Sequence, residues 1–567
     1  MSKQDGSEDS LLNERELPNS SETAAAKQRQ NASSLVCSSP LEVLQYIFQF
    51  YITDLHGAYR LEHGLPLAAL LSHVCTRWRE ACLADHRLWN WIPRTLRGRW
   101  AFEFAARSGD SPMDISFWLE KDLSAPMSMT QFVLRIMHRI RNIWVSGDLE
   151  LLQNFCDALV DRPAPLLEHM HFSRFTARMS EIVPGIAVTL SIDIFARSAP
   201  RLRSVRLHRA QLAGIPVPAF VHVTTISLGL SPVDDILPLL QYIPHLQVLG
   251  CDEMLNSRSG SASFPTGEHV HMPELREVRL RSIKPADIVR IFDTLVAPSL
   301  QVLNLRNMAA APSDIPLYIA AVPRALSPHI STLRQTLGSN NGALIDSEEN
   351  AIGCWFSREE CAQAARDDSR YFSPLYLSWT FAHMDEGVDI HSLVRGVLGV
   401  LSMQDVLTLS LYDTMFHGDR SWACLHALPN VTLLECKIES PEDALDILQA
   451  MTPATQRLSI GHMPPQDGRT LFPLLKKLVV VGMDISTSEG YTFLKVLCNL
   501  VHSGSRGEKG LSVAFEKCEY SVRFYEGLEE IDMTWNGRRG PPSLAVSSGG
   551  DSSSENREGL GIVFDQE

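Results

Sequence analysis

The sequence predicts an α/β chain, with a small three-helix module near the N-terminus followed by an irregular solenoid of repeating strand and helix units. Three observations carry this. Apolar residues between positions 40 and 92 recur at helical spacing. From residue 165 onward, six segments repeat one pattern of apolar residues after a proline. Hydrophobic residues make up 45% of the 567 and charged residues 21%, ordinary proportions for a globular protein with ample core material.

Taken in order, residues 1–34 are rich in Ser, Glu, Asn and Gln and poor in aromatics, a composition that buries too little surface to offset the entropy of ordering, so a disordered arm is expected. Residues 35–95 form the helical module. Ser39, Pro40 and Glu42 place an N-cap, a first-turn proline and an acid at the third position, which predicts a helix start. Leu44, Ile47, Phe48 and Tyr51 follow at i, i+3, i+4 and i+7, giving that helix one greasy face. Pro66 opens a second, longer helix carrying Leu67, Leu70, Leu71, Val74, Trp78 and Cys82 on one stripe. Leu88, Trp89, Trp91 and Ile92 form a third apolar cluster. A module this small has little core of its own, and helices this amphipathic want a partner surface.

These residues resemble an F-box. Pro40-Leu41-Glu42-Val43-Leu44 with Ile47-Phe48, then Leu70 to Val74 running into Cys75-Thr76-Arg77-Trp78-Arg79, then Leu88-Trp89, follow that family's order and spacing, with Ser39 where the family has Leu and about ten extra residues around 54–64. The likeness covers about 55 of 567 residues and looks like the F-box-like group of mushroom-forming fungi. It implies a non-catalytic substrate-receptor subunit of a ubiquitin ligase complex, docking to a Skp-type adaptor and through it to a cullin, with an unknown protein target. Carried over position by position, Pro40, Leu41, Leu44, Ile47, Phe48, Leu71 and Val74 match the adaptor-facing residues, while Trp78, Leu88 and Trp89 match the core of the module.

Beyond a helical connector at 96–160, the body extends over 161–535. Leu202, Val205 and Leu207 follow Pro200; Leu246, Leu249 and Cys251 follow Pro244; Leu275, Val278 and Leu280 follow Pro273; Leu300, Leu303 and Leu305 follow Pro298. The same spacing follows Pro165 and Pro473; Val431, Leu434 and Cys436 follow Pro429, and Val223, Ile226 and Leu228 read as a unit lacking its proline. It carries a turn into a short strand with alternate residues inward, and resembles the leucine-rich repeat frame, with first positions at 202, 223, 246, 275 and 300 lying 21 to 29 residues apart. The resemblance implies a degenerate solenoid of parallel strands, because the family's turn asparagine is replaced by Phe175, Ala210, Met254, Ile283, Met308 or Met483. Outward strand residues such as Arg206, Arg279 and Asn304 are candidate target contacts. No clean unit reads between Leu305 and Val406, and 312–370 is expected as an insertion or long loop with its own helices. Residues 536–567, with Ser552 to Ser554 between acids, read as a disordered tail.

Charge and cysteines narrow the function. Lys plus Arg number 51 against 66 Asp plus Glu, and a net charge of -15 argues against a general nucleic-acid binder. The eleven cysteines are scattered with no CxxC pair, which points to a reducing compartment and away from a disulfide framework or thiolate zinc site. No run approaches the roughly 18 apolar residues of a membrane span, so a cytoplasmic or nuclear protein without membrane partners is expected. No phosphate loop, nucleophile elbow or HExxH helix is present, and no catalytic residue, metal or cofactor is assigned. His169 with His171 and His269 with His271 lack further ligands nearby. Arg94, Arg97, Arg99 and Arg107, interleaved with Trp100, Phe102 and Phe104, are expected to be solvated or paired with Glu103 and Asp110 rather than to bind RNA. The second reading of the whole chain is a plain interaction protein whose leading helices cap the solenoid.

Overall fold

The computed structural model describes residues 25–26, 29–31, 33–54, 66–94, 96, 99–119, 129–174, 188–208, 210–230, 233–253, 269–310, 315–337, 342–346, 351–355, 375–381, 398, 403–412, 425–437, 441–452, 471–485, 487–502, 511–516, 518, 533–535 and 538–539. The expected arm, the long first loop and the tail lie almost wholly outside them. The chain divides into two compact units, one of residues 1–182 and 193–202, the other of 183–192 and 203–567.

In the first unit, α1 (Leu41–Asp54) packs with α2 (Leu67–Ser72) and α3 (Thr76–Ala84). The helix start is where the sequence places it, and the Pro40 carbonyl accepts from the Leu44 amide at 3.2 Å. The serine has another job: the Ser39 hydroxyl donates back to the Leu35 carbonyl at 3.0 Å and closes the short turn Leu35–Ser38. Asp85 ends α3 and accepts from the Arg87 amide at 3.1 Å, starting the single turn His86–Trp89. The second predicted helix is two, because the Cys75 backbone is extended (φ -156, ψ 171) between α2 and α3.

The expectation of a helical connector at 96–160 is corrected. After β1 (Trp91–Ile92) and α4 (Arg99–Arg107), that stretch holds β2 (Met113–Leu119), α5 (Met129–Arg135), β3 (Ile140–Gly147) and α6 (Leu149–Ala158), and β4 (His169–Arg174) follows. The four strands pair in parallel, with Ile92 beside Ile115, Ile115 beside Ile143 and Ile143 beside Met170. The cause is local: Met113, Ile115, Phe117 and Leu119 alternate with polar or amphipathic residues, and all four are buried. Phe155 of α6 meets Phe117 edge-on at 5.6 Å and Phe172 at 5.9 Å, which seats the helix on the inner face.

The second unit is a longer ladder. In chain order its main elements are β5 (Ser204–His208), β6 (Thr225–Leu230), α7 (Val233–Tyr242), β7 (Val248–Glu253), β8 (Glu277–Arg281), α8 (Pro285–Thr294), β9 (Val302–Ala310), α9 (Ile315–Leu337), β10 (Gly342–Asp346), β11 (Ala351–Trp355), β12 (Leu375–Phe381), β13 (Thr408–Tyr412), β14 (Leu433–Lys437), α10 (Pro441–Met451), β15 (Lys477–Val481), α11 (Ser488–His502), β16 (Ser512–Glu516), β17 (Met533–Trp535) and β18 (Arg538–Arg539). Strands β5 to β9 lie parallel in sequence order. So do β13 to β17, and β18 turns back antiparallel.

Between those two runs the ladder is bridged by the segment where no repeat reads in the sequence. β12 lies parallel to β9, β11 runs antiparallel between β12 and β10, and β10 is parallel to β13. The insertion thus contributes the helix α9, as expected of it, and also a hairpin that keeps the backbone hydrogen bonds of both runs satisfied.

Every inward position named from the repeat spacing on these strands is buried: Val205 and Leu207, Ile226 and Leu228, Leu249 and Cys251, Val278 and Leu280, Leu303 and Leu305, Leu434 and Cys436, Leu478 and Val480. Each such leucine removed from water contributes about 1.5–3 kcal/mol. Ala210, Ile283, Met308 and Met483, which stand where a turn asparagine was sought, are buried too, so these turns close on apolar packing. The chain is a mixed α/β protein built on parallel strands with repeating units.

Candidate docking surface and the outer face of the repeats

On α1, the structure splits the predicted greasy face in two. Leu44 and Phe48 are 0% and 1% exposed, with Phe48 against Trp78 at 4.8 Å. The inward side is also held by polar contacts: Gln45 Nε2 donates to the Ala81 carbonyl at 3.3 Å and Gln49 Nε2 to Asp85 Oδ2 at 2.6 Å. Leu44 and Phe48 are therefore core, which corrects their assignment as adaptor-facing residues: the i, i+4 pair turns toward α3.

The opposite side carries a second apolar stripe. Val43, Tyr46, Ile47 and Phe50 are 45%, 71%, 47% and 66% exposed, at i, i+3, i+4 and i+7. Ile47 is the one residue shared with the predicted set of this helix. Pro40 is exposed, Leu41 and Leu71 are half-buried, and Val74, in the turn after α2, is exposed. The sequence reading missed Val43, Tyr46 and Phe50, although their spacing was there to be counted: α1 is apolar nearly all round, and one stripe hid the other.

Two of the three residues assigned to the core of the module, Leu88 and Trp89, lie in it. Leu88 and Trp89 are buried, and Trp89 Nε1 donates to the Cys82 carbonyl at 2.7 Å. Trp78 is half-buried, and its Nε1 has no hydrogen-bond partner among the described residues. Burial would push the Asp85 carboxyl up, but hydrogen bonds from Arg87 and Gln49 and the Arg87 charge together hold it below the usual carboxylate range. Burial, then the Asp85 charge, pushes the Cys82 thiol up to about 12, so it remains a protonated packing group.

Of the cationic run beyond the module, Arg97 lies outside the described residues, and Arg94 and Arg107 have partners. Arg107 pairs with Glu103 at 2.7 Å and lies over the Trp89 ring at 4.4 Å, and Arg94 lies 5.6 Å from the Trp118 ring centre. Phe104 packs on Trp89 and Phe102 on Phe132. His169 and His171 share strand β4, His271 lies in the short strand Val270–His271 and His269 just before it, and no group of three or more metal-ligating side chains occurs among the described residues. No described helix is long and apolar enough to cross a membrane.

On the ladder of the second unit, outward residues alternate with the buried ones. Register places Arg206, Ser227, Gly250, Arg279 and Asn304 side by side across β5 to β9. Of the three candidate contacts Arg206 and Arg279 are exposed, whereas Asn304 is buried, which removes it from the candidates, and it accepts from Arg306 Nε at 3.0 Å. Further along, the equivalent row is Ser410, Glu435, Val479 and Ala514 across β13 to β16.

No protein-family model matches the sequence, and no curated protein does. Among solved structures, the chain is similar to a TLR13–ssRNA13 complex at 11% identity over 78% of its own length and 66% of the other chain, just under two thirds, with a TM-score of 0.27. A similarity that slight bears on neither ligand nor mechanism.

Proposed function

We propose that this chain is the substrate-receptor subunit of a Skp-cullin-F-box type ubiquitin ligase, with the N-terminal helices docking to a Skp-type adaptor and the repeat unit holding the target protein. The observation that carries the reading is the stripe Val43, Tyr46, Ile47 and Phe50, exposed on a helix whose other side is already packed, together with exposed Val74. Apolar area left open in this way marks a place for another molecule. The resemblance of residues 40–89 to an F-box supplies the identity of that molecule. The protein itself performs no chemistry in this role; it raises the local concentration of a target beside an enzyme.

Co-purification with a Skp-type adaptor tests this. The double variant Ile47→Asp, Phe50→Asp puts charges on the open stripe without touching the core and should lose at least tenfold in captured adaptor while keeping its thermal midpoint. Undiminished capture refutes this docking mode. Leu44→Asp is uninformative, because a charge at a fully buried position breaks the module itself.

A second reading has its own observation. β1, the last element of the helical module, pairs in parallel with β2, and the Asp114 amide donates to the Asn90 carbonyl at 2.8 Å. The helices are thus built directly onto the first strands, as a cap on a repeat array would be. A monomer that ignores the adaptor favours that reading.

A further inference from the structure

The chain carries a net charge of -15, yet one part of its surface has the opposite sign. At the alternate, outward positions described on β5 to β9 stand Arg206, Arg279, Arg281 and Arg306, against the acid Glu277. Glu277 is engaged by Arg279 of its own strand. Arg206, Arg279 and Arg281 are all exposed. They also bear on one another: partial burial first, then the like charges of Arg206 and Arg281, hold the Arg279 guanidinium below the usual arginine range.

Between Arg206 and Arg279 the floor is low. Register puts only Ser227 and Gly250 there, and a Cβ on Gly250 would sit 3.1 Å from Ser227 Oγ, so the two residues together fill little more than one small side chain. Three strand spacings separate the two arginines, about 14 Å at ~4.8 Å per strand, which about four residues of an extended peptide span at ~3.4 Å each. The result is a shallow basic notch across the strands, walled by cations and floored by small residues.

We propose that this notch takes an extended acidic segment of a partner protein, with carboxylates about four residues apart meeting Arg206 on one side and Arg279 with Arg281 on the other. A protein segment fits better than a nucleic acid. Glu277 on the same face and the negative charge of the whole chain oppose a continuous polyanion, whereas a peptide with few charges meets only the local surplus. The inference deepens the receptor reading by giving the chemical class of its target.

The test is fluorescence anisotropy of the full chain with a labelled twelve-residue peptide bearing glutamates four residues apart, at low salt and without adaptor. Binding should weaken about tenfold in Arg206→Gln, Arg279→Gln, and as much in Ser227→Glu, which sets a like charge in the floor; it should also fall steeply with added salt. The off-face variant Arg162→Gln should bind as the unaltered chain does. Equal binding by all variants, or equal binding of a lysine counterpart peptide, overturns the proposal. Tighter, Arg206- and Arg279-dependent binding of a single-stranded oligonucleotide overturns the choice of a protein segment. Because no adaptor is present, failure here leaves the docking result standing, and failure of docking leaves this one standing.

Discussion

The two runs of parallel strands in the second unit share one inner face and differ in the outer one. In β5 and β8 the sequences Ser-Val-Arg-Leu-His and Glu-Val-Arg-Leu-Arg alternate strictly, and their middle arginines are exposed. In β15 and β16 they read Lys-Leu-Val-Val-Val and Ser-Val-Ala-Phe-Glu, and the middle residues Val479 and Ala514 are 7% and 4% exposed although they occupy the same outward row. Ser410 in that row is buried as well. Where the outward position is itself buried, as at Val479 and Ala514, the polar alternate is lost, because a charge there has no water to face. What differs between the runs is therefore the middle of the outward row, open at Arg206 and Arg279 in one and buried at Ser410, Val479 and Ala514 in the other.

The largest expected effect comes from placing the same charge in both rows. Val479→Asp buries a carboxylate with no cation brought to meet it and should cost about 3 kcal/mol or more. Ser227→Asp, in the outward row of the open run and beside Arg206, should stay within about 0.5 kcal/mol of the unaltered chain. Urea midpoints of the two variants measure this directly. Equal losses would mean that the two outer faces are equally covered.

How much of this was legible beforehand follows from where the information resides. The inward rows were readable because burial imposes the 0, 3, 5 spacing residue by residue, and Val278, Leu280, Leu303 and Leu305 are all in the core. β2 and β3 were not recognised. Period-two alternation is present in Met113–Leu119, but it follows a helical run of Trp, Phe and Arg residues, and Pro112 abuts the strand instead of standing at the repeat's offset. The bridging hairpin was less legible still. Gly342–Asp346 and Ala351–Trp355 have little pattern of their own, and they become strands because unpaired edges of β12 and β13 are waiting for them. At the docking surface, the amphipathic helix was clear and its facing was not. Deciding between Leu44 with Phe48 and Val43 with Phe50 requires knowing where α3 lies, which no local spacing contains.

A smaller effect tests the covered face through Glu435. Burial first, then the Glu516 charge, push the Glu435 carboxyl up, against the Ser410 hydroxyl at 3.2 Å and the charges of Lys437 and Lys477. A folded-state carboxyl that holds its proton to higher pH than the unfolded chain costs stability once pH rises above the ordinary glutamate value of 4.5. Glu435→Gln keeps an acceptor for Ser410 and removes that cost. It should raise stability by about 1 kcal/mol near neutral pH, and the advantage should shrink as pH falls toward the ordinary value. Thermal midpoints of both chains across that range decide it; a variant less stable at neutral pH would show that the lysines outweigh burial.

The smallest effect is electrostatic and belongs to the open face. Arg281→Gln removes a like charge from beside Arg279 and should leave stability unchanged or raise it by no more than about 0.5 kcal/mol at low salt. Whatever gain appears should vanish at high salt, where the screening length shrinks to about 3 Å and neighbouring guanidiniums in water no longer sense each other. Glu435, being largely removed from water, is screened much less, so the gain from Glu435→Gln should survive the same salt. Salt thus separates the two rows by a route independent of side-chain volume. If both variants respond alike, the arginines of β5 and β8 lie in surroundings as dry as those of β14, and the notch is not open to a partner.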